Sequence, residues 1–176
     1  NCFALSEAID GSGANYQSVW GIIIGSGFGG SFVYKKQVIE GINQVAGDWG
    51  HQPLPYPTKE EYELNPKCEV GNCGRPLCAE QFISGIGFTK IFNSKYGTNF
   101  RTREIVALEA NGDERAKKEF ELYEDRFARL ISVMIGIIDP DVIVIGGGMS
   151  NVGRIYENIP KLLPKYTFSD KIRNKI

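Results

Sequence analysis

Val19-Trp-Gly-Ile-Ile-Ile24 runs straight into Gly25-Ser-Gly-Phe-Gly-Gly30 and then Ser31-Phe-Val-Tyr34, and this stretch decides the fold. The first six residues form a short apolar run rich in β-branched side chains, which reads as a buried strand. The glycines predict a turn over 25–30, and 31–34 reads as the returning strand. Lys35-Lys36 then bends the chain into a further strand over 37–40. A dinucleotide fingerprint needs a helix after its glycines, and a phosphate-binding P-loop needs a Lys-Ser/Thr pair; both are missing here. A glycine hairpin can still turn backbone N–H groups toward phosphate oxygens, with Ser26 adding a hydroxyl. The plainer alternative is a structural turn.

Outward from the hairpin, Phe3, Leu5, Ala8 and Ile9 predict a helix ending at Asp10-Gly-Ser-Gly13. Helices are expected over 79–96 and 102–111. A long one is expected over 113–138, with Phe120, Tyr123, Phe127, Leu130, Ile131, Met134 and Ile138 on one face and Asp113 as N-cap. Asp141-Val-Ile-Val-Ile145 reads as a buried strand entering Gly146-Gly-Gly148, ahead of a last helix near Arg154. Ligands of open α/β sheets sit beyond the carboxyl ends of strands, so Gly146, Gly147 and Gly148 read either as a ligand wall or as a tight strand-to-helix turn. The element order predicts an α/β layer structure.

The 176 residues suffice for one domain or one large lobe with a core that needs no disulfide staples. Lys+Arg at 20 against Asp+Glu at 21 gives a net charge of −1, which argues against a nucleic-acid footprint. No apolar run is long enough to span a membrane and no signal peptide opens the chain, so a cytoplasmic location is expected. The absence of an initiator Met, with a helical pattern starting at Asn1, predicts a processed or interior portion of a longer chain.

From 41 to 78 the chain reads as irregular, and so long a loop is usually functional. Cys68, Cys73 and Cys78 are spaced by four intervening residues each, and the only histidine, His51, precedes them. Three thiolates and an imidazole supply the donors of a closed tetrahedral zinc site, and Gly71, Gly74 and Pro76 let the loop fold back. The alternative is three buried cysteines with His51 at the surface. Asp48, His51 and Glu80 would gather around such a metal as a trio suited to vicinal hydroxyls. Glu60, Glu61 and Glu63 are expected to be solvated.

The stretches Asn1-Cys-Phe-Ala-Leu-Ser-Glu-Ala8, Ile24 to Gly30, Ala46-Gly-Asp-Trp-Gly-His51-Gln-Pro-Leu-Pro55, Cys73-Gly-Arg-Pro-Leu-Cys78-Ala-Glu80 and Asp139 to Asn151 together resemble the ROK sugar kinases, in particular their fructokinase/mannokinase branch. The resemblance implies an actin/hexokinase-like ATPase fold. Residues 1–176 would form mainly its C-terminal lobe, with a zinc loop within 46–80. It implies a structural Zn2+ on His51, Cys68, Cys73 and Cys78, and sugar contacts from Asp48, His51 and Glu80. It implies ATP with Mg2+ against Gly25, Ser26, Gly27, Gly29 and Gly30 on one side and Gly146 to Gly148 on the other. The position of Asp48 is usually Glu in the family, that of Ser26 often Thr, and the first two cysteines usually lie one residue apart. Asn1 matches the last residue of the family's Asn-Asp-Ala-Asn stretch, so the catalytic aspartate is expected just upstream and the chain alone is expected to be inactive. The implied reaction is phosphorylation of a hexose, fructose first, at its 6-hydroxyl. An N-acetylglucosamine or N-acetylmannosamine kinase and the sugar-sensing part of a ROK repressor are the alternatives. A homodimer is common in the family.

Overall fold

The computed structural model describes residues 1–64, 73–169 and 171–176. Its central hairpin joins β1 (Ser18–Ile24) to β2 (Phe28–Tyr34) in antiparallel register, with Ile24 opposite Phe28. The turn is therefore only 25–27, shorter than the glycine run predicts, because Gly29 and Gly30 are strand residues facing Ile23 and Ile22. The short β3 (Gln37–Val38) continues the meander after Lys35 and Lys36, both left-handed at φ 50° and 63°. β4 (Val142–Gly146) lies parallel to β1 on its other side, giving the order β3-β2-β1-β4.

Side chains alternate across this sheet, as strand geometry requires. Val19, Val33, Val142 and Val144 face α1 (Cys2–Ile9) and pack with its Ala4 and Ala8. That contact is close: a Cβ on Gly21 would lie 2.4 Å from that of Ala4. Trp20, Ile22, Ile24, Ile143 and Ile145 face the opposite way, into the larger core. There they meet α3 (Ala79–Ile83), α4 (Gly85–Tyr96), α5 (Thr102–Ala110), α6 (Glu114–Ile138) and α7 (Gly153–Leu162). Phe120, Tyr123, Phe127, Leu130 and Ile131 are the buried stripe of α6, and Met134 and Ile138 extend it in partly buried form.

Asp113 caps α6, accepting from Arg115 N at 2.9 Å and Ala116 N at 3.2 Å. The Arg115 side chain, then those amides, hold its carboxyl at about 2, below its ordinary 3.8. A carboxyl depressed on folding stabilises above its unfolded value and loses that contribution as pH falls through its folded value. Acid titration of the thermal midpoint should therefore fall less for Asp113→Asn than for the native chain between about pH 4 and pH 2. Parallel curves would refute this.

Two expectations are corrected. The helix over 79–96 is two helices, broken at Ser84, whose ψ of 153° is extended and whose Oγ caps α4 by accepting from Gly87 N at 3.0 Å. A Cβ on Gly87 would sit 2.1 Å from Gln81 O, so the two helices meet too closely for a side chain there. The loop over 41–78 also contains a helix, α2 (Lys59–Leu64), and Glu61 is not solvated but 2 % exposed. Its carboxylate accepts from Arg126 Nε at 2.9 Å and from Arg129 Nη2 at 2.6 Å. Burial pushes the Glu61 carboxyl up, but Arg129, the Thr58 amide and Arg126 outweigh it and leave it below the usual range. Among the described residues no helix is long and apolar enough to cross a membrane.

Candidate functional site

Residues 50–54 run against 77–80 through Leu54 N to Leu77 O, Ala79 N to Gln52 O and Glu80 N to Gly50 O, each 2.8 Å. This short ladder sets His51 beside Cys78 and Glu80. It also lies tight on β2, since a Cβ on Gly50 would be 2.0 Å from Phe28 O. Cys78 Sγ is 3.6 Å from His51 Nδ1 and 3.8 Å from Cys73 Sγ, and the three donor atoms lie within 4.8 Å of one another. Zinc–sulfur and zinc–nitrogen bonds of about 2.3 and 2.0–2.1 Å in a tetrahedron give edges of about 3.8 Å between sulfurs and about 3.6 Å between sulfur and nitrogen. The two spacings from Cys78 match those edges, so the donor set fits a zinc ion. Cys68, the fourth expected ligand, lies outside the described residues.

Glu80 is buried at 6 % exposure. Its Oε1 accepts from Phe28 N at 3.1 Å. Its Oε2 lies 3.3 Å from His51 Nδ1, yet the direction is wrong for a hydrogen bond, and among the described residues the oxygen has no hydrogen-bond donor. A buried carboxylate oxygen in that state is a strong acceptor awaiting a donor. Asp48 is exposed and lines a hollow of about 360 Å³ with Trp20, Phe32 and Trp49.

A second cavity, of about 560 Å³, opens beyond the carboxyl ends of the parallel pair β1 and β4. The glycines predicted to bind a cofactor divide around it. Gly25, Ser26 and Gly148 line it. Gly27 instead faces the metal side, where a Cβ would be 2.7 Å from Glu80 Oε1. Gly30 is packed against Gly21 O and Trp49 Nε1, Gly146 against the Phe3 ring and Gly147 against the Ile24 backbone, while none of the described residues crowds Gly29. Sequence reasoning missed Gly85, Ile86, Thr102 and Arg103, which line the cavity together with Val106, Met149, Asn151 and Val152. Their signal was faint: Gly85 N donates to Gly25 O at 2.8 Å, and the two glycines at the start of α4 were the only hint of that approach.

The α/β sheet thus carries a cleft at its parallel strand ends and a cysteine–histidine cluster near the same hairpin turn. The chain belongs to the ROK family, whose model matches residues 1–176. It is 39% identical over 173 residues to the N-acetyl-D-glucosamine kinase of Vibrio vulnificus (strain YJ016), covering 96% of this chain and 56% of that protein. The N-acetyl-D-glucosamine kinase of Photobacterium profundum is 36% identical over 171 residues, with the same coverage of 96% and 56%. The chain thus spans about 56% of the length of these curated relatives. Among solved structures, the ROK hexokinase from Thermus thermophilus superposes with a TM-score of 0.84 at 22% identity, over 99% of this chain and 58% of that one. A ROK family glucokinase from Streptomyces griseus, solved with glucose and AMPPNP, gives 0.77 at 20% identity, over 96% and 57%. These likenesses bear out the hexokinase-like fold.

Proposed function

We propose that this chain is the metal-binding and nucleotide-facing part of an ATP-dependent sugar kinase whose acceptor is N-acetylglucosamine. The relatives at 36–39% identity are N-acetyl-D-glucosamine kinases, which favours that acceptor over the fructose expected from the sequence. The observation that carries the reading is the orphaned Glu80 Oε2 beside His51, at a site that shares the 25–27 turn with the cleft. In this reading Glu80 accepts a hydrogen bond from a sugar hydroxyl. His51, Cys73 and Cys78 hold zinc, with Cys68 completing the set. Zinc supplies orientation: a metal on Nδ1 leaves Nε2 as the protonated nitrogen, a fixed donor to a sugar oxygen. The cleft takes Mg-ATP, with Gly25, Ser26 and Gly148 along its wall, and Mg2+ spreads the charge of the transferring phosphoryl group. Asp48 is a further sugar contact, made from its exposed position.

A coupled ADP-release assay of the full-length gene product with Mg-ATP tests this on N-acetylglucosamine, N-acetylmannosamine, fructose and glucose. The expected result is fastest turnover on N-acetylglucosamine. Preference for fructose would restore the fructokinase reading, and sugar binding without ADP release would favour a sensor. Glu80→Gln should raise KM for the sugar by about 10–100-fold, the worth of a hydrogen bond to a charged acceptor, with zinc content unchanged. An unaltered KM would remove Glu80 from the sugar site.

A further inference from the structure

We propose that Arg129, with Arg126 and Glu61, is the positioning device of the metal site: a clamp on α6 that fixes the chain between His51 and the cysteines. The inference rests on the zinc reading above. Arg129 Nη1 donates to Pro55 O and Tyr56 O, both at 2.8 Å, and to Glu61 Oε2 at 3.1 Å. Its Nη2 meets Glu61 Oε1 at 2.6 Å, and Arg126 Nε reaches the same oxygen at 2.9 Å. Its Nε lies 3.2 Å from Asp125 Oδ2 without an aligned hydrogen bond. Apart from that last contact, all of these fall on the segment that leaves the 50–54 ladder and enters the metal loop.

Tyr56 shows what the clamp does. Its φ is +49°, a conformation that bulky residues rarely adopt unless their surroundings enforce it. The residue is 69 % exposed, so packing of the ring is not what enforces it. The shared guanidinium on the carbonyls of Pro55 and Tyr56 is. That strained turn redirects the chain just after His51. Glu61, gripped by both arginines, then fixes α2. Two buried arginines on a carboxylate are a poor choice for stability alone, since apolar residues of similar volume do as well or better. A planar fork that spans two carbonyls and a carboxylate is suited instead to fixing one geometry.

The test is the Zn2+ affinity of the folded protein, measured by competition with a chromophoric chelator, alongside its thermal midpoint. Arg129→Lys keeps the charge but cannot span the three acceptors, and Glu61→Gln keeps the shape but loses the charge. Each should weaken zinc about tenfold, the lower end for residues that orient metal ligands. Arg154→Lys is the control: Arg154 pairs with Glu124 and Glu109 between α5, α6 and α7, so it should lower the midpoint and leave zinc affinity unchanged. Should Arg129→Lys fail to fold, Glu61→Gln carries the comparison. Native zinc affinity in the folded Arg129 or Glu61 variant, or a loss no greater than that of Arg154→Lys, would overturn the clamp. A native protein that binds no zinc would overturn the metal reading itself, a result distinct from equal binding by all variants.

Discussion

Cys78→Ser is expected to empty the metal site and to loosen the loop around it, while the sheet stays folded. Cys78 is fully buried and bridges three groups: His51 Nδ1, Cys73 Sγ and, at 3.4 Å, Gly50 O. It also stands at the start of α3 and pairs with Pro53 in the ladder. Serine is close in shape and its hydroxyl can donate to Gly50 O, so the substitution removes the sulfur ligand and little else. Zinc affinities in small metal-folded domains correspond to about 10–16 kcal/mol, which is the upper scale of what is at stake. The loss here is local, because the larger core of β1, β4 and α3 to α7 is built without the metal. Zinc content should fall from about one per chain to none, and amide exchange should accelerate in 50–80 but not in β1 or β4. Retained zinc, or an unchanged exchange pattern, would refute the assignment.

Gly147→Ala is expected to be the most damaging single methyl beside the cleft. Gly147 has φ 87° and ψ −178°, a region essentially reserved for glycine. An added Cβ would sit 2.5 Å from Ile24 O and 2.7 Å from Ile24 C, atoms of the strand end that cannot swing aside. Backbone strain of about 1–3 kcal/mol and overpacking of about 1–3 kcal/mol together make about 2–6 kcal/mol. The thermal midpoint should drop accordingly, and KM for ATP should rise as the displaced Ile24 carries the turn after it. Gly148→Ala is the contrast, since none of the described residues lies within 4 Å of its added Cβ. Equal midpoints for the two variants would show that the close approach is not rigid.

The hairpin, the long amphipathic helix and the strand at 142–146 were legible because their signals are local: β-branched runs, one apolar face, a capping aspartate and glycine or proline stops. The meeting of His51, Cys73 and Cys78 was legible because these are rare residues with few other uses. What stayed hidden depends on partners far along the chain. Lys59-Glu-Glu-Tyr-Glu-Leu64 looks solvated because the two arginines that bury Glu61 lie 65 and 68 residues away. Those arginines in turn look like surface charges on α6. The break at Ser84 carries no proline, and its cause is the contact of Gly85 with Gly25 on the hairpin. Asp48 was grouped with Glu80 by its nearness to His51 in sequence. The ladder turns Glu80 inward and leaves Asp48 exposed.

The 25–27 turn has a thermodynamic consequence. Its first two residues are wall of the cleft, its third abuts Glu80, and the next amide, Phe28 N, is bonded to that carboxylate. In the proposed reading, one short peptide segment borders both substrate positions. A sugar bonded to Glu80 would then act on the nucleotide wall through this segment. Linkage makes the effect mutual: if sugar strengthens nucleotide binding by some factor, nucleotide strengthens sugar binding by the same factor. Substrate synergy would then be a property of three residues.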